Sequence, residues 1–120
     1  MAEAPEPRVR VVKADDDLDW DVIPTEPDDP NPPGEETVVF RSGDARFSFG
    51  MWRRVPETGP MEPPYHEIAV IVEGEVEVHE EDGTVHRAGP GDVLITPKGS
   101  TARWKALSPV KKFWAIYKAP

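Results

Sequence analysis

The chain has 120 residues, no cysteine and a net charge of −9, with 31% of its residues charged. This length supports one small domain without disulfide bonds, and the acidic balance argues against nucleic acid as a partner. No apolar stretch is long enough to span a membrane and the first residues do not resemble a signal peptide, so we expect a cytoplasmic protein.

Residues 1–36 form an acidic, proline-rich arm. They hold 12 of the 23 acidic residues, three of the 14 basic residues and seven of the 15 prolines. Because such a segment is too polar to bury a core of its own, we expect a largely disordered arm before a folded domain over residues 37–120. Two stretches are exceptions. Residues 8–13 alternate as an edge strand does, and Trp20, Val22 and Ile23 form a second apolar spot.

After the arm, short apolar runs alternate with glycine and proline turns, which is the pattern of β-strands. Gly83 suits a hairpin turn, and the Gly89, Pro90, Gly91 corner suits a tight bend. Eight such strands predict an all-β jelly-roll barrel. We predict them at residues 37–40, 45–53, 66–72, 75–80, 85–87, 92–95, 102–106 and 110–118.

Two spaced motifs stand out among these strands. In the first, Glu67 opens a buried strand that ends at Gly74, with six residues between the two. In the second, Gly91 begins an apolar strand that stops at Pro97 and Gly99. The two spacings resemble the two motifs of the cupin superfamily, which implies a small jelly-roll barrel with Glu67 at its mouth.

The resemblance is nearer to one branch, the Cupin_3 group (DUF861), which includes ureidoglycine aminohydrolase-like and ethanolamine-utilisation cupins. Its marks are Tyr65, Trp104 and the closing strand at residues 109–117, and it covers roughly residues 45–118. Small cupins commonly dimerise by lending an arm to a neighbour. The resemblance therefore implies a homodimer in which the arm is a strap, and a disordered solubility tail is the alternative.

The metal site that many cupins carry is mostly missing from this sequence. The family pattern has histidines four and six residues before the motif glutamate and three residues after the last glycine. The corresponding residues are Pro63, Met61 and Ala102. We expect no standard metal site, and a divalent Mn, Fe, Ni or Zn ion would need a non-standard one built from Glu67 with Glu62 or His66.

The strand that begins near Glu67 has a predictable inner face. If Glu67 points inward, Tyr65, Ala69 and Ile71 share its face, and His66 faces outward unless a bulge near the preceding prolines turns it. Among apolar neighbours Glu67 would lose hydration, which suits general acid or base catalysis with Tyr65 as the second catalytic candidate. The alternative is structural, with Glu67 hydrogen-bonded to an aromatic side chain.

Tryptophans and one lysine are the candidate binding residues. The resemblance places Trp52 and Trp104 at the edge of the pocket, where they would hold a flat or apolar molecule. Trp114 is a further candidate for substrate binding, or a core side chain. Alternation requires one of Lys111 and Lys112 to face inward; the sequence does not settle which one, and we name Lys112 as the candidate.

Three functions fit these features. The first is a small-molecule enzyme that uses Glu67 for acid–base or metal-assisted chemistry on a small metabolite. The second is a binding or sensing protein that keeps the pocket without the chemistry. The third is a partner-binding protein in which the acidic arm makes the contact.

Overall fold

The computed structural model describes residues 7–24, 27–28, 34–54, 58–61 and 63–119. These residues form ten strands and no helix, so the described chain has no helix that could cross a membrane. The strands are β1 (Asp21–Val22), β2 (Glu35–Arg41), β3 (Phe47–Arg54), β4 (Thr58–Met61), β5 (His66–Glu73), β6 (Val76–Glu80), β7 (Val85–Ala88), β8 (Val93–Thr96), β9 (Ala102–Ala106) and β10 (Val110–Tyr117).

The strand predictions agree closely with the structure. All eight predicted strands are present, and their ends differ from the prediction by two residues at most. Two strands were not predicted: the two-residue β1, and β4, whose Gly59 and Pro60 are unfavourable in an isolated strand. The predicted edge strand at residues 8–13 is wrong, because these residues are in no strand and Val9 and Val11 are exposed.

The strands form two antiparallel sheets. The larger has the order β1-β2-β3-β10-β5-β8 and the smaller the order β4-β9-β6-β7. One core cluster unites side chains of both sheets, among them Ile71 and Val110 from the larger and Val76 and Trp104 from the smaller. The sheets therefore pack face to face, which confirms the all-β fold. No described strand pairs with both sheets, and closure into a barrel stays a prediction.

The pairing register defines an inner and an outer face of the larger sheet. Cross-strand partners share a face, and on the inner face Trp52 of β3 lies opposite Lys112 of β10, which lies opposite Ile71 of β5. The predicted alternation in β5 is confirmed. Ala69 and Ile71 are fully buried between the sheets, whereas Ile68 on the outer face is half exposed.

The connection from β5 to β6 requires glycine. Gly74 has φ of 85°, and a Cβ atom there would overlap the carbonyl oxygen of Pro109. Both the backbone conformation and the close approach of another segment exclude a side chain. Gly74 therefore fixes where β5 ends.

The described residues of the arm that precede β1 contact the outer face of the larger sheet. Residues 11–20 alternate between exposed and half-buried, although they form no strand. The Arg53 guanidinium of β3 lies 3.9 Å from the centre of the Trp20 ring, and Arg10 donates to the Val39 carbonyl. The predicted disorder of the arm is not confirmed, and its residues 1–6, 25–26 and 29–33 lie outside the described ranges.

Candidate functional site

A carboxylate and an ammonium group meet between the two sheets. Lys112 Nζ of β10 lies 3.7 Å from Glu67 Oε2 of β5, and the two side chains are only 12% and 14% exposed. Lys111, by contrast, is on the outer face, with its Nζ 6.0 Å from the Trp20 ring centre. The structure thus answers the question that the sequence left open: Lys112 is the inward lysine.

Two tryptophans enclose this ammonium group. Lys112 Nζ lies 4.9 Å from the ring centre of Trp52 and 5.0 Å from that of Trp104. The two indoles meet edge to face, with ring centres 5.9 Å apart and planes at 87°. Since Trp104 comes from β9 of the smaller sheet, this group of four side chains, hereafter the Glu67–Lys112 centre, joins both sheets. Cation–π attraction adds to the ion pair in holding Lys112 there.

Trp104 brings an unused hydrogen-bond donor to the centre. Its side chain is 6% exposed, and its indole Nε1 finds no acceptor among the described residues. Buried N–H groups are nearly always paired, because leaving one unpaired costs about 1–3 kcal/mol. Trp104 therefore keeps an unsatisfied buried donor on the ring that contacts Lys112.

Tyr65 precedes β5 and is electrostatically coupled to Glu67. Burial, the negative charge of Glu67 and the negative charge of Glu36 together raise the pKa of the Tyr65 phenol above its usual value. The phenol consequently stays protonated at neutral pH and is a hydrogen-bond donor. Glu36 reaches this region from β2, where it lies opposite Trp52.

The residues around Glu67 do not fit a divalent metal. Within the described ranges, no three His, Asp or Glu side chains come together as a metal site. The neighbour of Glu67 is the Lys112 ammonium, which would repel a metal cation, and the Glu62 proposed as a makeshift ligand lies outside these ranges. His66 faces outward, and its Nδ1 accepts the Lys98 backbone N–H at 3.0 Å.

The remaining predicted site residue, Trp114, is a core side chain in this structure. It is 7% exposed and lies against Gly50, where a Cβ atom would approach its ring to 2.7 Å.

The other two histidines lie on the β6–β7 hairpin, where His79 pairs with Glu77 and His86 with Glu80. Neither belongs to the Glu67–Lys112 centre.

A groove of about 470 Å³ lies between β8 at the edge of the larger sheet and β7 at the edge of the smaller, and none of the four side chains of the Glu67–Lys112 centre lines it. Apolar side chains such as Val78, Leu94 and Ala102 line it, together with Thr96. Thr96 lies opposite Glu67 in the register of β5 and β8. Residue patterns do not predict this groove, because it depends on which strands form the sheet edges.

The chain consists of two facing antiparallel sheets, and a carboxylate of β5 is directed between them. This arrangement is that of a protein of the cupin type. The chain belongs to the family described as the EutQ-like cupin domain, Cupin_3, whose model matches residues 41–114. The resemblance inferred from the two motifs is thereby confirmed. No protein of the curated set matches the sequence.

Solved structures agree with this assignment. A DUF861 family protein from Thermotoga maritima is 34% identical over 56% of this chain and 76% of its own, with a TM-score of 0.54. A protein assigned as ethanolamine utilization protein Q from Salmonella typhimurium LT2 is 26% identical over 74% of this chain and 72% of its own, with a TM-score of 0.64. The EutQ protein of Clostridium difficile, at 20% identity over 79% and 75% of the two chains and a TM-score of 0.67, shares the fold.

Proposed function

We propose that this protein binds a small metabolite at the Glu67–Lys112 centre and that Glu67 and Lys112 act on it as an acid–base pair without a metal. The observation that carries the proposal is the ion pair itself, which is nearly buried and enclosed by Trp52 and Trp104. Burying two charges is costly, so a pair kept between two apolar sheets calls for a reason beyond packing.

The chemistry of the centre favours a neutral ligand that carries a carbonyl or amide group. Glu67 can accept a hydrogen bond or a proton, whereas Lys112 and the Trp104 indole can donate to a carbonyl oxygen. A neutral molecule leaves the balance of the two buried charges unchanged. Tyr65, protonated at neutral pH, supplies a further donor beside the carboxylate.

Proton transfer requires the two charged groups to act separately on the ligand. Glu67 would remove a proton next to the carbonyl, and Lys112 would stabilise the negative charge that develops on the oxygen. The likeness to proteins named for ethanolamine utilization supports a role in small-molecule metabolism, and it makes ethanolamine one compound to test.

A non-catalytic binding protein is the second candidate function, and one observation favours it. Lys112 already contacts Glu67, Trp52 and Trp104 at once. An ammonium with three such partners is stabilised in place and has less tendency to react. In that case the centre would recognise a ligand and leave it unchanged.

A ligand screen tests the proposal. Protein treated with a chelator is mixed with a panel of small amides, ketones, carboxylates and amines, ethanolamine included, and thermal stabilisation is measured. We expect stabilisation by a carbonyl- or amide-bearing compound, which is lost in Glu67→Gln and in Lys112→Met. Glu73→Gln and Lys111→Met are the matched controls, because both residues occupy the outer face of the same two strands.

The outcomes separate the two candidates. Conversion of the stabilising compound, followed by mass spectrometry and abolished in Glu67→Gln, supports the enzyme; stabilisation without conversion supports the binding protein. Binding that survives both centre substitutions would reject the Glu67–Lys112 centre as the site. Binding that appears only after a metal is added would reject metal independence.

A further inference from the structure

The β6–β7 hairpin carries a histidine–carboxylate pair on the inner face of the smaller sheet. His86 lies opposite Val78 in the register of β7 and β6, and Val78 lies opposite Trp104 of β9. Cross-strand partners share a face, and Val78 and Trp104 belong to the core cluster. His86 is therefore on the inner face, at the edge of the sheet. Glu80, two residues after Val78, is on the same face, and its Oε2 lies 2.9 Å from His86 Nε2.

This inner pair lines the groove between β7 and β8. The side chains of His86 and Glu80 are 53% and 45% exposed, so a molecule in the groove can reach both. Val78, Leu94 and Ala102 supply apolar surface beside them. The groove volume of about 470 Å³ is within the range of roughly 300–1,000 Å³ that small-molecule sites occupy. Apolar walls with a few convergent polar groups are the usual composition of such a site.

The polar side chains of the groove offer hydrogen-bond acceptors. An ionised carboxylate only accepts, so the Nε2–H of neutral His86 donates to Glu80 and the Nδ1 atom keeps its lone pair. The second oxygen of Glu80 is a further acceptor. Ser100, also in the lining, donates its hydroxyl to the Pro97 carbonyl at 2.6 Å, and its oxygen can accept as well. A ligand that donates hydrogen bonds matches these groups.

The charges along the groove favour a cation. Neutral His86 leaves the pair with the one negative charge of Glu80, and Asp92 in the lining adds a second. Arg87 also lines the groove, but Glu75 compensates its charge, with Oε2 of Glu75 2.6 Å from the Arg87 Nη2. The groove is therefore negative on balance, and it attracts a cation and repels an anion.

We infer that the groove between β7 and β8 binds a primary ammonium ion with an apolar substituent, at a site separate from the Glu67–Lys112 centre. An ammonium group is positive and only donates, so it can donate to His86 Nδ1 and to Glu80 while its apolar substituent lies on the walls. The Glu67–Lys112 centre is unsuited to such a ligand, because the Lys112 ammonium already compensates Glu67 and repels a second cation.

Three compounds with the same phenylethyl skeleton and different head groups test the site: phenethylammonium, 2-phenylethanol and phenylacetate. Each is titrated into nitrogen-15-labelled protein, and the signals of the backbone amides and of the His86 ring are followed. We expect phenethylammonium to bind and to shift the signals of β7, β8 and His86. Phenylacetate should bind at least about tenfold more weakly, because its carboxylate meets Glu80 and Asp92. The uncharged alcohol should lie between the two.

The two faces of the hairpin supply matched variants. Glu80→Gln and His86→Leu should each weaken phenethylammonium binding by about tenfold, since the first removes the negative charge and the second an acceptor. Glu77 and His79 form a similar pair, with Oε1 and Nε2 3.0 Å apart, but His79 lies opposite the half-exposed Val85 on the outer face. Glu77→Gln and His79→Leu should therefore leave the affinity unchanged.

Several results would overturn the inference. One is that phenethylammonium does not bind at millimolar concentrations, and another is that phenylacetate binds equally well. A third is binding that survives both Glu80→Gln and His86→Leu. Binding that these two variants retain but that Glu67→Gln or Lys112→Met abolishes would assign the amine to the Glu67–Lys112 centre instead of the groove.

Discussion

At the scale of single residues, the Glu67–Lys112 pair depends on both of its members. Each group is almost removed from water, so each charge relies on the other for compensation. Loss of one partner leaves an uncompensated buried charge, whereas loss of both leaves none.

The first prediction is a difference between two adjacent lysines. Lys112→Met should lower the free energy of unfolding by about 3 kcal/mol, because Glu67 is left buried without a cation. Lys111→Met should change it by less than about 1 kcal/mol, since this exposed-face lysine forms at most weak surface contacts. Urea unfolding measures both, and the double variant Glu67→Gln, Lys112→Met should recover part of the loss. If Lys112→Met and Lys111→Met lower the free energy of unfolding equally, the buried ion pair is contradicted.

The second prediction concerns the phenol of Tyr65. With Tyr117→Phe, Tyr65 is the remaining tyrosine, and its ultraviolet titration should have a midpoint above the usual value of about 10. Because a raised pKa means that the folded state keeps its proton longer than the unfolded state, unfolding free energy should fall as pH rises above about 10. Glu67→Gln should lower the midpoint, because a nearby negative charge is removed, and Glu73→Gln should not. If the titration midpoint of Tyr65 does not change in Glu67→Gln, the charge of Glu67 does not act on Tyr65.

The inward direction of Glu67 was predictable from the residues, and that of Lys112 was not. Glu67 begins an uninterrupted alternation in which Ala69 and Ile71 follow as buried residues, so the phase of the strand can be read. In β10, apolar residues occupy both faces around the lysines, and alternation alone does not give the phase. The unpaired Trp104 indole was equally beyond prediction, because it depends on which acceptors surround it in three dimensions.

At the scale of elements, turn residues made the strands predictable. Glycines with positive φ, such as Gly74 and Gly83, stop strands at definite positions, so the boundaries can be read from the sequence. β4 lacks such a signal and is a strand because it pairs with β9. Tertiary pairing therefore overrides the unfavourable local sequence of Thr58–Met61.

The third prediction separates two roles of glycine. Gly83→Ala should cost about 1 kcal/mol of unfolding free energy, because its φ is 92° but no atom lies near the position of a new Cβ. Gly74→Ala should cost clearly more, about 3 kcal/mol, because the new Cβ would also overlap the Pro109 carbonyl. Chemical denaturation compares the two variants, and equal costs would mean that β10 shifts to accommodate the alanine.

At the scale of the whole molecule, the arm contributes to the folded unit. Its described residues cover part of the outer face, and β1 pairs with β2. The composition of the arm predicted disorder, because acidic residues and prolines dominate it. A few apolar and aromatic side chains at alternate positions suffice to place the arm on the outer face of a sheet that is already apolar. The composition of the arm did not predict this packing, because the packing depends on the sheet.

The fourth prediction tests this role of the arm. Deleting residues 1–24 should lower the melting temperature and increase binding of a hydrophobic dye, because the outer face loses arm residues that contact it, Trp20 on Arg53 among them. Trp20→Ala in the full chain should reproduce part of the effect, about 1 kcal/mol, through loss of its contact with Arg53. Asp19→Ala is the matched control, since the exposed Asp19 precedes Trp20. An unchanged melting temperature after deletion would instead support a tail that aids solubility.

We would first test the binding of a small molecule at the Glu67–Lys112 centre through the indole N–H signals of the four tryptophans. We would titrate chelator-treated, nitrogen-15-labelled protein with the panel of small amides, ketones, carboxylates and amines, after assigning the signals by single Trp→Phe substitutions. We expect a binding compound to move the Trp104 signal downfield as its unpaired N–H gains an acceptor, to shift the Trp52 signal, and to leave the Trp20 signal in place. A compound that binds without moving the Trp104 signal, or that moves it equally in Glu67→Gln, would show that the ligand does not bind at this centre.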